Sequence, residues 1–296
     1  MSRILLMINP KSRSGEKATQ EITEALRTCG HSIIIPEDKE SRDDPNEFIR
    51  KNKTQADFVI VGGGDGSVNH LLPGLVDTQL PLVVYPLGTA NNLARTYNIP
   101  FDAKGICDLL KEGQVIYIDL GEVNNNLFVN VAGLGLSTEI NRHVPHTMKR
   151  HLGVLAFILT AFKMFFKMNP FRAWIDGGKG EIKTRSWQIS VCNGKHYGSG
   201  LTIKHDASLD DGKLHLLSTE VKNFWEGIKL IPTLYSGHYK RHHEVTLLTS
   251  DHFHIRTKRT LKIDVDGDLK TQTPAEFKVH INALKILVAK PEIKTE

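Results

Sequence analysis

The sequence predicts two domains, a parallel α/β domain followed by an antiparallel β-sandwich or barrel. Strand and helix patterns alternate over the first 120 residues, and period-two runs dominate after Asp119. A chain of 296 residues is long enough to bury a sizeable core in each domain. The expected division is 1–120 and 121–283, with 284–296 free to return to the first domain.

RILLMIN (3–9) is a short apolar run that stops at the turn KSRSGEK. EKATQEITEALRTCG (16–30) carries Ile22, Ala25, Leu26 and Cys29 at helical spacing and ends on Gly30, a residue suited to a left-handed helix end. HSIIIPE (31–37) is a second strand. DDPNEFIRKNK is a second helix, opened by Asp44 and Pro45. The strand DFVIV, a helix from Ser67 to Leu75 and the strand PLVVYP (81–86) come next. GTANNLARTYNI and AKGICDLLKEG (103–113) complete the alternation. Parallel strands joined by right-handed crossovers follow from this order, and ligands then bind beyond the strands' carboxyl ends. The turns NP, GGGDG and GT all fall at that edge.

Past Asp119, QVIYIDLGEVNNNLFVNVAGLG holds two alternating runs split by NNN, a hairpin signal. RAWID (172–176), RSWQISVC (185–192), KLHLLST (213–219), HFHIRT (252–257), LKIDVDG (261–267) and FKVHI (277–281) read as further strands. LKILVA (284–289) is a last apolar strand, and helical patterns interrupt at 147–168 and 223–240.

With 40% hydrophobic and 24% charged residues, the composition is that of a soluble globular protein. A net charge of +5 suits an anionic partner such as a nucleotide, a membrane surface or a nucleic acid. Cys29, Cys107 and Cys192 are far apart and form no CxxC, which argues against a zinc site or a disulfide framework and for a reducing, cytoplasmic setting. The N-terminus has no signal-peptide pattern, and the most apolar stretch, LGVLAFILTAF (152–162), is half the length of a membrane span. Basic residues without interleaved aromatics argue against nucleic acid, and the 14 histidines are assigned no metal.

ADFVIVGGGDGSVNHL (56–71) is the stretch with most chemistry in it. Glycines between a strand and a helix let backbone N–H groups face an anion. A dinucleotide fingerprint fails because Ser67 holds its third glycine position. Asp65 would repel a phosphate that is merely bound. It makes sense if it holds a metal bridging phosphates or takes a proton from an attacking hydroxyl, and a structural turn is the alternative reading. In YPLGTANNLAR (85–95), Gly88 and Thr89 form a second such turn, with Asn91 and Asn92 opening a helix and Arg95 one turn on. NPKSRSG (9–15) offers hydroxyls and two cations after the first strand.

Taken together these motifs resemble the diacylglycerol kinase catalytic domain family, which includes bacterial soluble lipid kinases and sphingosine kinases. NPKSRSG, GGGDGSVNHLLPGL, PLGTANNLAR, DLGEVNNNLFVNVAGLG, LDDGKLHL and DVDGD follow in the family's order. The resemblance implies an α/β nucleotide-binding domain, a β-sandwich domain, ATP and Mg²⁺. It places ATP against Asn9, Pro10, Lys11, Ser12, Arg13, Gly64, Asp65, Gly66, Ser67, Val68, Asn69, His70 and Thr89, with Asn92 in the presumed magnesium network and Ser41 as a nucleotide contact. In DVDGD (264–268), Asp268 stands where the family's glutamate general base is expected. Asn92 stands where many relatives carry aspartate. In LDDGKLHL (209–216), Asp211, with Ser208 and the Lys213 carbonyl, falls at a structural magnesium loop, a plain turn being the alternative.

The segment 147–168 sets Lys149, Arg150, Lys163 and Lys167 around an apolar helix, which suits an acyl pocket, a bilayer surface or a plain core helix. KRHH (240–243) suits anionic headgroups. The expected protein is an ATP- and Mg²⁺-dependent kinase of a lipid hydroxyl, diacylglycerol first, in peripheral contact with a membrane surface. A NAD kinase and a weakly active nucleotide- or lipid-binding protein are the alternatives, and a homodimer stays open.

Overall fold

A computed structural model describes residues 1–8, 15–36, 38–143, 166–197, 201–239 and 243–291. The chain divides into two compact units, Met1–Leu120 with Ile281–Glu296, and Gly121–His280.

The first unit is built on parallel strands β1 (Arg3–Ile8), β2 (Ser32–Ile34), β3 (Phe58–Gly63) and β4 (Leu82–Pro86), in the order β2-β1-β3-β4. Ile4, Leu5, Val59, Ile60, Leu82 and Val83 have no exposed surface, as expected of parallel strands covered on both faces. Around them lie helices α1 (Gly15–Thr28), α2 (Lys39–Asp43), α3 (Pro45–Lys51), α4 (Asp65–Thr78), α5 (Asn92–Thr96) and α6 (Ala103–Glu112). Gly30 takes φ +80° after α1, and Asp44 caps α3 by accepting from the Glu47 N–H at 3.0 Å. The helix expected at Ser67–Leu75 is longer at both ends, and the extra turns matter. It starts on Asp65, directly beyond β3, and runs through Pro73. A proline there removes one backbone donor and disturbs the preceding turn. Asn46 repairs the gap: its Nδ2 donates to the His70 carbonyl (2.9 Å) and its Oδ1 accepts from the Gly74 N–H (2.8 Å).

The second unit opens with the hairpin of β5 (Gln114–Val123), which begins in the first unit, and β6 (Asn126–Phe128). Asn124 and Asn125 both take positive φ (45° and 65°) at its turn, as the NNN signal predicts. β7 (Val131–Gly135) and α7 (Leu136–His143) follow. Further strands are β8 (Phe171–Asp176), β9 (Glu181–Ser186), β10 (Gln188–Cys192), the short pair β11 (His196–Tyr197) and β12 (Leu201–Thr202), and β13 (Leu214–Thr219). Then come helix α8 (Phe224–Ser236) and strands β14 (Val245–Ser250), β15 (His252–Thr257), β16 (Lys262–Val265), β17 (Asp268–Gln272) and β18 (Ala275–Val288). One antiparallel sheet has the order β14-β13-β10-β7-β16-β17; the other places β8 between β9 and β15, with β15 against the first half of β18. Phe128, Phe171, Phe253, Phe277, Leu134, Val191 and Leu216 fill the core of this β-sandwich.

Two expected strands divide differently in the structure. RSWQISVC is not one strand, because Arg185 and Ser186 end β9 while Gln188–Cys192 form β10 in the other sheet. Trp187 makes the corner: its N–H donates to Thr219, its carbonyl accepts from Leu136, and its indole Nε1 donates to the Val221 carbonyl. Conversely, FKVHI and LKILVA are one strand, β18. The second half pairs in parallel with β4 through Ile286 and Leu82, placing it in the first unit. The apparent break is Asn282, at φ +53°, whose N–H donates to buried Asp119 (2.8 Å).

Candidate functional site

The strand order β2-β1-β3-β4 reverses direction between β1 and β3, and crevices form beyond the carboxyl ends of strands at such a switch point. GGGDG lies at that end of β3, and Gly88 at that end of β4. The two turns touch. A Cβ on Gly88 would lie 2.5 Å from the Gly64 Cα and 2.7 Å from Asn91 Oδ1, so position 88 needs glycine for close backbone approach. Gly88→Ala is therefore expected to separate the two turns and cost about 1–3 kcal/mol of stability while the β-sheet still forms, as a urea unfolding curve and a far-ultraviolet spectrum would report.

Asparagines at the start of α5 are expected to cap it, but Asn91 faces the other way. Held at φ +48°, its Oδ1 accepts from the Gly88 N–H (3.0 Å) and its Nδ2 donates to the Gly88 carbonyl (2.8 Å). The cap comes instead from Asp65, whose Oδ2 accepts from the Asn92 N–H (3.1 Å) and Oδ1 from the Leu93 N–H (3.3 Å). One carboxylate thus sits on the first turn of α4 and on the N-terminus of α5. Both helix dipoles favour its negative charge, which a bare phosphate cradle would not. Beside it, Asn92 is only 6% exposed, and among the described residues its Oδ1 has no hydrogen-bond partner. Such an orphaned oxygen costs about 1–3 kcal/mol and calls for a bound donor or cation.

The other residues expected around the nucleotide are placed as follows. Gly66 and Ser67 lie in the first turn of α4, where the Ser67 N–H donates to the Gly64 carbonyl (2.9 Å). Val68 and Asn69 are buried in the body of that helix, and His70 is exposed. Thr89 is exposed on the Gly88 turn. Ser41 lies in α2, where its N–H and Oγ both bond Asp38. Asn9, Pro10, Lys11, Ser12 and Arg13 lie outside the described residues, as do most of the expected apolar helix 147–168 and residues 240–242 of KRHH.

In the second unit, DVDGD is a fixed turn between β16 and β17. Asp266, at φ +49°, accepts from three backbone N–H groups, those of Val129 (2.8 Å), Asn130 (3.0 Å) and Val131 (2.9 Å). Asp264 is buried and accepts from the Gly267 N–H (2.9 Å). Asp268 is exposed and opens β17, opposite Val265. Three carboxylates close in sequence therefore have two jobs: Asp264 and Asp266 hold the turn, and Asp268 projects from it. Asp266 escapes sequence reasoning, although an aspartate before glycine at a left-handed position was a usable signal. Asp266→Ala is expected to cost about 2–4 kcal/mol, because it strands several backbone donors and puts alanine at positive φ. A urea unfolding curve of the purified variant checks this.

Asp211 already has three donors of its own. Oδ2 accepts from His215 Nε2 (3.0 Å) and from the Ser208 N–H (3.3 Å), and Oδ1 accepts from the Lys213 N–H (2.9 Å). Ser208 Oγ bonds Asp210. Burial pushes the Asp211 carboxyl up, but His215 and the two N–H donors outweigh this and hold it below the usual range. His215 is 1% exposed and also meets Thr249 Oγ1 (3.1 Å). These bonds order the loop, and Asp211 Oδ1 with its single donor keeps a lone pair, so the structural magnesium at Asp211, Ser208 and the Lys213 carbonyl stays a proposal. Among the described residues no group of three or more His, Cys, Asp or Glu side chains is gathered for a metal. Nor, among them, is any helix long and apolar enough to cross a membrane.

Residues 3–123 match the family described as diacylglycerol kinase catalytic domain, and residues 130–288 match the YegS C-terminal NAD kinase beta sandwich-like domain. A Staphylococcus aureus (strain MRSA252) protein named diacylglycerol kinase is 27% identical over 282 residues, covering 93% of this chain and 89% of that one. The crystal structure of a diacylglycerol kinase from Bacillus anthracis str. Sterne superposes with a TM-score of 0.72 at 19% identity, over 98% of each chain. A candidate diacylglycerol kinase from the same strain reaches a TM-score of 0.80 at 21% identity, over 98% of this chain and 97% of that one. These two likenesses show the fold.

Proposed function

From the premise that the chain belongs to the diacylglycerol kinase family and is a phosphotransferase with an alcohol acceptor, we propose that it is an ATP- and Mg²⁺-dependent lipid kinase acting on diacylglycerol. The observation that carries the reading is the joined pair of glycine turns, with Asp65 bonded across to the start of α5 and the Asn92 oxygen without a partner among the described residues.

The glycines bring backbone close enough to hold phosphates, and the N-terminal end of the α4 dipole favours their charge. Asp65 and Asn92 Oδ1 would hold Mg²⁺, a hard cation that takes one or two protein oxygens and completes its shell with water and phosphate. Held by these oxygens, such an ion would supply positive charge beside the phosphoryl group. Asp65 keeps the two turns in register during transfer. Asp268 accepts the proton of the attacking lipid hydroxyl as the new O–P bond forms and the bond to the leaving phosphate breaks, a reaction that depends mainly on positioning and charge. The site is proposed to work in the cytoplasm on lipid presented at a membrane surface.

A panel assay tests this. With γ-labelled ATP and Mg²⁺, label should pass to diacylglycerol in preference to sphingosine, monoacylglycerol or NAD. Label on NAD alone would move the protein to the soluble-substrate class. ATP binding with no acceptor labelled would make it a binding protein.

A further inference from the structure

Helix α8 carries its apolar residues on the outside. Trp225 is 69% exposed, Ile228 40%, Ile231 44% and Tyr235 55%. At 100° per residue the four fall within an arc of about 120°, one continuous stripe. The opposite side carries Leu230, buried with Trp187 and Val221. A surface helix normally shows its polar side to water, so both sides of α8 are apolar for different reasons. Nor is the helix frayed or provisional. Asn223 accepts from the Glu226 N–H (3.0 Å), the Glu226 carboxylate accepts from the Lys222 N–H (2.8 Å), and Gly237 ends the helix at φ +71°. Phe166, 67% exposed, extends the stripe: its ring lies 6.0 Å from that of Phe224, which in turn meets Trp225 at 5.9 Å. Single exposed apolar residues are ordinary, but five on one surface mark a place where something docks.

The charge around the stripe selects the occupant. Lys222 and Lys229 are exposed beside it, and Lys167 follows Phe166. The one acid of the helix, Glu226, is used in its cap. A second copy docking about a two-fold axis would bring equal lysines together. An anionic bilayer instead receives the lysines at its headgroups and the apolar side chains at the acyl boundary, with tryptophan and tyrosine at the interface they favour.

We propose that the outer face of α8, with Phe166, is the surface on which this protein rests on an anionic lipid bilayer, the helix axis lying in the membrane plane. The proposal rests on the lipid-kinase reading for its biological sense and names the surface that reading lacks. It adds α8 to the surfaces expected from the 147–168 segment and the KRHH run, most of which lie outside the described residues.

The test uses full-length protein, without ATP or diacylglycerol, and vesicles of phosphatidylcholine with about a quarter phosphatidylglycerol. The variants are the triple Trp225→Ser, Ile228→Ser, Ile231→Ser, and the double Lys222→Glu, Lys229→Glu. All five side chains are exposed, so melting temperatures should match the parent. Each variant is expected to co-sediment with vesicles at least about tenfold less well than the parent, and high salt should weaken the parent itself. Rates on a short-chain, water-dispersed diacylglycerol should not change. Undiminished vesicle binding by both variants would overturn the proposal. So would a parent dimer that the serine variant converts to monomer while vesicle binding persists, which would give the face to a second copy. Vesicle binding without kinase activity would overturn the catalytic reading and leave this one standing; activity on dispersed lipid without vesicle binding would do the reverse.

Discussion

Asp65→Asn is expected to lower turnover by about 10²–10³-fold in a protein that still folds. Asparagine keeps the shape of the side chain and one acceptor oxygen. It also turns an N–H donor toward Asn92 or Leu93, where two backbone donors now converge on a carboxylate. The turn carrying Gly88 then loses its charged tie to the turn carrying Gly64, and the proposed phosphate site loses the anion proposed to hold Mg²⁺. Hydrogen bonds to a charged group are worth about 1.5–3 kcal/mol each, so a measurable drop in thermal stability should accompany the loss. The α4–β3 core, made by Leu72, Leu75 and Ile60 among others, is untouched. Steady-state kinetics beside a thermal melt separate the two effects. Turnover within a few fold of the parent would remove Asp65 from the chemistry and leave it as a helix cap.

Asp268→Asn is the second large effect. General-base catalysis contributes about 10²–10⁴-fold, and loss of the carboxylate should remove that much from the transfer rate while ATP affinity stays as it was. The geometry makes this variant clean. Asp264 and Asp266 fix the turn through backbone donors, and Asp268 takes no part in that fixing. Asp268→Glu keeps a carboxylate on the same turn and should keep substantial activity. If asparagine at 268 transfers phosphate at the parent rate, another group takes the proton.

Much of the fold was legible because its signals are local. Apolar runs too continuous for a half-exposed strand gave β1, β3 and β4, and the Asn124–Asn125 turn announced its hairpin. What was not legible depended on partners distant in sequence. Trp187 turns RSWQISVC from one sheet to the other through Thr219, Leu136 and Val221, none of them inside the run. Asn282 looks like a strand end until Asp119, far back in the chain, is seen to take its N–H. The same limit applied to the candidate site. The question of why a carboxylate stands in a glycine turn was visible in GGGDG, yet half of the answer, a cap on α5, lies 27 residues on. Asp266 and His215 went unnoticed because each works through backbone or loop contacts that composition does not reveal.

A single-turnover experiment bears most directly on the account. Protein in excess, preloaded with γ-labelled ATP and Mg²⁺, is mixed with diacylglycerol, and the chloroform phase is counted over time. Label should enter that phase in one exponential with the parent protein, and stay on bound ATP in the aqueous phase with Asp268→Asn. Label that remains aqueous with the parent, or reaches lipid equally fast with the variant, would contradict the central claim.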